Sequence, residues 1–133
     1  MIVTLSTAIK GALATALRDQ IDLTGSNSLL KFYTGSIPTA LGDITTQTLL
    51  GTCTLAYPCG TVSGGVLTLN AITQDTAADA TGTVTWARLL SSTNVPLADF
   101  DVTLDAGNGA IKMNTISIIL NGPIVVNSFV FGF

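Results

Sequence analysis

The sequence predicts a mainly β, single-domain sandwich of jelly-roll kind with one N-terminal helix, and three observations carry that prediction. After residue 28, seven or eight short apolar runs recur at nearly regular spacing, separated by Gly, Pro, Asn and Asp and by no helical stretch. Before residue 28 the apolar residues instead return every four positions, as on one side of a helix. The length of 133 residues is that of one domain, enough to bury roughly two-thirds of the unfolded surface in one core without a disulfide or metal. The chain accordingly divides into a helix with its linker, 1–27, and a sandwich, 28–133, with no internal repeat and no low-complexity segment.

Residues 4–22 form the helix. Ile9, Leu13, Leu17 and Ile21 make an apolar stripe with Leu5, Ala12 and Ala16 beside it. Thr4 or Ser6 is placed to cap its start and Gly25 to end it. Asp19 and Asp22 fall near its C-terminus, where the macrodipole disfavours negative charge. The first strand is Leu29–Tyr33, closed by a turn at 34–38. A second covers 48–56, with Leu49, Cys53 and Leu55 on one face and Thr48, Leu50, Thr52 and Thr54 on the other. Pro58 and Gly60 end it, Gly64-Gly65 turns the chain into 66–72, and the small polar residues of 74–81 form an exposed connection. The clearest strand is 82–90, with Val84 and Trp86 on one side. Next comes 97–104, projecting Asp99, Asp101 and Thr103 along a solvated face, then a turn at 105–109. The runs 110–120 and 124–131 flank Asn121-Gly122-Pro123, a hairpin signal.

Composition narrows the chemistry. Hydrophobic residues make up 47% of the chain and charged ones 10%, with neither histidine nor glutamate. Catalysis in water usually needs a group that titrates near neutrality or a carboxylate tuned toward it, so this stock points to a building component and not an enzyme. No Ser-His-Asp set can be assembled without histidine, and no G-x-S-x-G is present. Gly64-Gly65 and Gly107-Asn108-Gly109 open no helix and are turns, not phosphate cradles. Asp99, Asp101 and Asp105 with Asn108 fit no EF-hand spacing. Asp75 and Asp79 lack the aromatics and apolar pocket of a glycosidase pair. Cys53 and Cys59 cannot complete a zinc site, and in a chain made in a cytoplasm they are expected as buried thiols, a disulfide being the alternative. No cofactor is expected. A net charge of −3 without a Lys/Arg cluster argues against nucleic acid.

The mean hydropathy of +0.60 is high, yet no run approaches the ~18 apolar residues of a spanning helix, so no membrane partner is expected. A C-terminal phenylalanine is common in outer-membrane barrels, but aromatics are only 6% of the chain and no export signal is expected from residues 1–20, so a barrel is not the expected reading. The excess apolar surface must then lie in a core, in a subunit interface, or in both. The last two strands are apolar on both faces and need covering twice, by the core and by either the helix or another subunit. Phe129, Phe131 and Phe133 are therefore candidate interface residues on an edge strand shared with a neighbour. Arg88, two residues after Trp86, is the fourth: either an edge arginine whose stem covers apolar surface, or an interface arginine facing an aspartate of a neighbouring copy, Asp99 or Asp101. Trp86 reads as core rather than as a ligand platform.

Four blocks taken in order resemble a known family. They are Leu30-Lys31-Phe32-Tyr33-Thr34-Gly35-Ser36-Ile37-Pro38, Leu49-Leu50-Gly51-Thr52-Cys53-Thr54-Leu55, Asn70-Ala71-Ile72, and Ala80-Thr81-Gly82-Thr83-Val84-Thr85-Trp86-Ala87-Arg88. Their order and spacing over about residues 1–104 resemble small virion proteins from the structural gene clusters of tailed bacteriophages. The chain departs from that pattern with cysteine at 53 and 59 and alanine at 87. The resemblance implies a capsid decoration or cement protein, a homotrimer with a sandwich or jelly-roll core that sits on the virion's capsid surface against the major capsid protein. A head–tail adaptor or tail component is the alternative within the virion. A receptor- or carbohydrate-binding jelly-roll module is the alternative outside it, and it would require Trp86, Tyr33 and Tyr57 to be exposed.

Overall fold

Ser6 begins the helix. In the computed structural model, which describes residues 1–133, its backbone is extended and its hydroxyl accepts the Ile9 N–H at 3.2 Å, so α1 runs Thr7–Ile21. Residues 1–5 lie ahead of it as an arm. Asp22 ends the helix and Gly25 turns the chain with φ of +71°. The two aspartates at that end are compensated: Asp22 accepts the Cys59 N–H at 3.1 Å, and Asp19 pairs with Arg18 at 3.0 Å.

Ten strands follow: β1 (Leu29–Tyr33), β2 (Leu49–Thr54), β3 (Gly60–Ser63), β4 (Val66–Leu69), β5 (Gly82–Thr83), β6 (Trp86–Leu90), β7 (Pro96–Leu104), β8 (Ile111–Met113), β9 (Ser117–Ile118) and β10 (Ser128–Gly132). Eight of them form one curled sheet in the order β2-β1-β6-β7-β8-β10-β4-β3, and β5 pairs with β9 alongside. All pairs are antiparallel except β7–β8. One buried apolar cluster joins the two halves of the curl, with Leu30, Phe32, Leu50 and Leu89 from one side and Leu67, Ile111, Met113 and Phe129 from the other. The chain is thus a mainly β, single-domain β-sandwich with an N-terminal helix, and α1 adds Ala14 and Ile21 to the same core.

Several local expectations need correction. The helical stripe is split: Ala14, Leu17 and Ile21 turn toward β3 and β4, while Ile9 and Leu13 face solvent at 51% and 39% exposure. In the second strand, Leu50 is buried together with Cys53 and Leu55 rather than with the threonines. A bulge opposite Phe32/Tyr33 pairs Phe32 with Gly51 and Tyr33 with Leu49, which leaves Leu50 out of the alternation. The hairpin about Gly64-Gly65 has a first arm, β3, that alternation alone did not reveal because it opens at Gly60 directly after a proline turn. Residues 74–81 are no loose connection. Ala78 is buried, and backbone bonds tie Asp75 to Ile124, Ala78 to Gly122 and Asp79 to Leu50.

The long strand expected at 82–90 breaks at Val84–Thr85, since Val84 N–H turns to Ile116 and Thr85 N–H to Tyr33. The hairpin about Asn121–Pro123 does not form. Asn121 does turn the chain, with φ of +67°, but β9 pairs with β5 and β10 with β8 and β4. The turn at 105–109 is a tight crossover between parallel strands. A Cβ at Gly107 or Gly109 would stand 2.6 and 2.9 Å from the Thr103 side chain, so both positions call for glycine.

Candidate functional site

Arg88 is the one charged residue buried outright, and the register explains why. β6 lies between β1 and β7, so Arg88 stands directly across from Asp99. Its Nε donates to Asp99 Oδ1 at 2.7 Å and its Nη2 to Asp99 Oδ2 at 2.9 Å, a fork-on-carboxylate pair. Both side chains are only 6% exposed. The partner expected from a neighbouring copy is therefore supplied by the same chain, Asp99 is not solvated, and Arg88 is not on an edge strand. Its guanidinium also lies 5.5 Å from the Trp86 ring centroid, and Trp86 stacks on Tyr33 at 4.7 Å. The bond to Asp99 raises the guanidinium's pKa, and burial raises that of the Tyr33 hydroxyl.

This group lies on the sheet face opposite the main core, because Ala87 and Leu89 point into the core from the alternate positions of β6. What covers it is the β1–β2 connection. Arg88 Nη2 donates to the Gly42 carbonyl at 2.9 Å, Trp86 Nε1 to Thr34 and Thr85 Oγ1 to Gly35. Ala40 and Leu41 are held there at φ of +53° and +59°, a region costly for L side chains. The connection presents Ile37 and Leu41 to solvent. Trp86 is thus fully buried, but beneath a loop and outside the main core.

The C-terminal phenylalanines are brought together elsewhere. Phe129, Phe131 and Phe133 form a chain of ring contacts with Phe100, at centroid separations from 4.9 to 6.3 Å. Exposure rises along it, from Phe129 in the core to Phe133 half in solvent. Composition gave no reason to single out Phe100, although its place between Asp99 and Asp101, on the alternate face of a strand, was the available signal. β10 also leaves β4 after Val130↔Thr68, and the parting opens a cleft of about 380 Å³ between Thr68, Leu69 and Ile72 on one side and Val126, Phe129 and Val130 on the other. None of its lining side chains is ionisable. It can seat an apolar side chain or extended segment and offers no acid or base.

The remaining candidates are occupied structurally. Asp101 accepts the Ala110 N–H and Asp105 accepts from Asn127, so these carboxylates and Asp99 serve three separate contacts. Asp75 accepts the Thr52 and Ala77 N–H groups. Cys53 and Cys59 are free buried thiols, with Cys53 Sγ donating to the Ile124 carbonyl at 3.5 Å. Burial pushes Cys53 up to about 11; burial, and then the Asp22 charge, push Cys59 up to about 12. Neither is a nucleophile near neutral pH. No helix is long and apolar enough to cross a membrane. No protein-family model matches the chain, and no curated protein or solved structure matches it either.

Proposed function

We propose that this chain is a structural protein of a tailed-phage virion, a capsid decoration or cement protein that self-associates, as a trimer, and braces the head lattice through contacts with the major capsid protein. The observation that carries the reading is the apolar surface. Sixteen large hydrophobic residues remain exposed on a folded sandwich, in a chain with only 10% charged residues. Single exposed apolar residues are ordinary, but neighbouring ones such as Met1–Val3 or Ile119–Leu120 suggest surfaces that other proteins cover. Many modest contacts of this kind sum by multivalency over a lattice, so no single strong site is needed. Threonine-rich strand faces suit the role, giving hydrogen bonds without charges to desolvate. The virion location and the trimer come from the family resemblance, and the jelly-roll form from the strand spacing together with it.

The deciding experiment offers purified protein to phage heads assembled without it. Saturable addition at a fixed ratio to the capsid protein, with a soluble species of about 41 kDa (three 13.6 kDa chains), is the expected result. A six- or twelve-fold ring in solution that joins only the portal vertex or the tail would replace it with the adaptor reading. Binding to an immobilised glycan set would favour the carbohydrate-binding module, although two of its three required aromatics, Trp86 and Tyr33, are buried. A chain that stays monomeric and ignores every particle would end the proposal.

A further inference from the structure

The solvent side of α1 is built the wrong way round for a helix that faces water. Ala8, Ile9, Ala12, Leu13 and Ala16 all lie exposed there, and the first charge on that side is Asp19, at the helix's end. The charged side chains farther up the helix sit off this face: Lys10 lies against Gly65, and Arg18 is half-buried and paired with Asp19. Ahead of the helix, the apolar side chains of Met1, Ile2 and Val3 extend the exposed run, with the α-ammonium at its tip.

We infer that this face is covered by the same face of a second copy of the chain, the contact being repeated about the three-fold axis of the proposed trimer. Three observations select that occupant. Ile9, Leu13, Ala16 and Gln20 follow the 4-3-4 spacing of a helix–helix seam, with Ala8 and Ala12 beside it small enough to admit a neighbour's Ile9 and Leu13. The four seam positions are uncharged, and the one carboxylate beside them, Asp19, is paired with Arg18 of its own helix, so chains of net charge −3 can meet there with little repulsion. The area is also sufficient. With roughly 200 Å² for a fully exposed large apolar residue, Ile9 and Leu13 expose about 180 Å² and the arm residues Met1, Ile2 and Val3 about 540 Å² more, so helix face and arm together approach the roughly 800 Å² per partner of a standard interface. A lipid surface fits less well, because an interfacial helix sets Lys and Arg along its polar side, whereas here the opposite side is packed on β3 and β4.

This inference rests on the reading of the chain as a self-associating component and places the contact. The test compares the native chain with the Ile9→Lys/Leu13→Lys double variant by sedimentation velocity, with far-ultraviolet dichroism and Trp86 fluorescence verifying the fold. The native chain is expected to sediment as a multiple of 13.6 kDa and the folded double variant at 13.6 kDa. In an otherwise native chain, Ala12→Cys is expected to give an oxidant-dependent covalent pair, the two native thiols being buried. A double variant that keeps the native mass, or an Ala12→Cys chain that never cross-links, overturns this contact and leaves the functional proposal standing. A native chain that is monomeric at high concentration overturns both. So does a monomer that instead co-floats with phosphatidylcholine/phosphatidylglycerol vesicles, which would assign the face to lipid.

Discussion

Arg88 and Asp99 are withdrawn from water together, which makes the pair of little net worth as a unit and costly to break. Removing the carboxylate in Asp99→Ala leaves a buried guanidinium bonded only to the Gly42 carbonyl. The expected loss is about 3–5 kcal/mol in urea unfolding, the usual cost of an orphaned buried charge. Replacing both partners, as in Arg88→Met/Asp99→Leu, is expected to recover most of that loss. If the single and double variants are equally destabilised, packing and not charge governs the site. The two thiols make a second residue-level statement, about pH. Their folded values, about 11 for Cys53 and about 12 for Cys59, lie above the ordinary value of 9.0. Above pH 9 the unfolded chain releases these protons while the folded chain keeps them, so the folded state binds more protons and stability falls as pH rises. The contribution is whole below about pH 9 and is lost as pH climbs through the folded values. Unfolding free energies measured from pH 8 to 11 should therefore decline, and less steeply in Cys59→Ala. A profile identical in the variant would remove the thiol from the account.

At the level of elements, the segment from Asp75 to Asp79 explains much of what was legible in the sequence and what was not. Its small polar residues look like surface connection, yet the Asp75 carboxylate fastens it to β2 through the Thr52 N–H at 2.9 Å and closes its own turn on Ala77. Asp75→Ala should cost about 1–3 kcal/mol by leaving the part-buried Thr52 N–H without its acceptor, read from the shift in urea midpoint. Asp75→Asn should cost less, because it keeps an oxygen. The bonds that fasten the segment to the rest of the fold run between residues 23 or more apart, and local periodicity cannot report them. Local signals succeeded where partners are near. The Ser6 cap, the turn at Gly64-Gly65 and β1 all follow from neighbours in sequence. They failed where tertiary pairing overrides pattern. The Asn121-Gly122-Pro123 turn is real, but its flanks find better partners in β5, β8 and β4. A one-residue bulge was enough to reverse the assignment of Leu50. For the candidate site, the residue types were legible and their company was not. Arg88 stood out as a lone charge in an apolar strand, but the identity of its partner depends on the β6–β7 register. The phenylalanines were visible as a terminal cluster, while their contact with Phe100 depends on the β7-β8-β10 order and the cleft beside them on the way β10 leaves β4.

Across the whole molecule, the balance of forces available for association is lopsided. The one strongly bonded ion pair is spent inside the fold, and the other pairs Arg18 with the residue next to it. Outside, beside scattered aspartates and uncharged polar residues, stand apolar patches: the arm and outer face of α1, Ile37 and Leu41 on the β1–β2 connection, Ile119 and Leu120 past β9, and Phe133 at the C-terminus. Contacts made from such surfaces draw on the hydrophobic effect, which is not screened by salt and is strengthened by excluded anions such as sulfate. Contacts made from charge behave oppositely, since screening shortens the Debye length from about 10 Å at 0.1 M to about 3 Å at 1 M. Self-association and attachment to phage heads should therefore hold or tighten as sodium chloride is raised over that range, tighten further in ammonium sulfate, and loosen on cooling. Sedimentation velocity follows the first and a head-binding isotherm the second. If either dissociates with rising salt, the contact is electrostatic and would have to run through Lys31, Lys112 or the exposed aspartates, and the apolar faces would need another purpose.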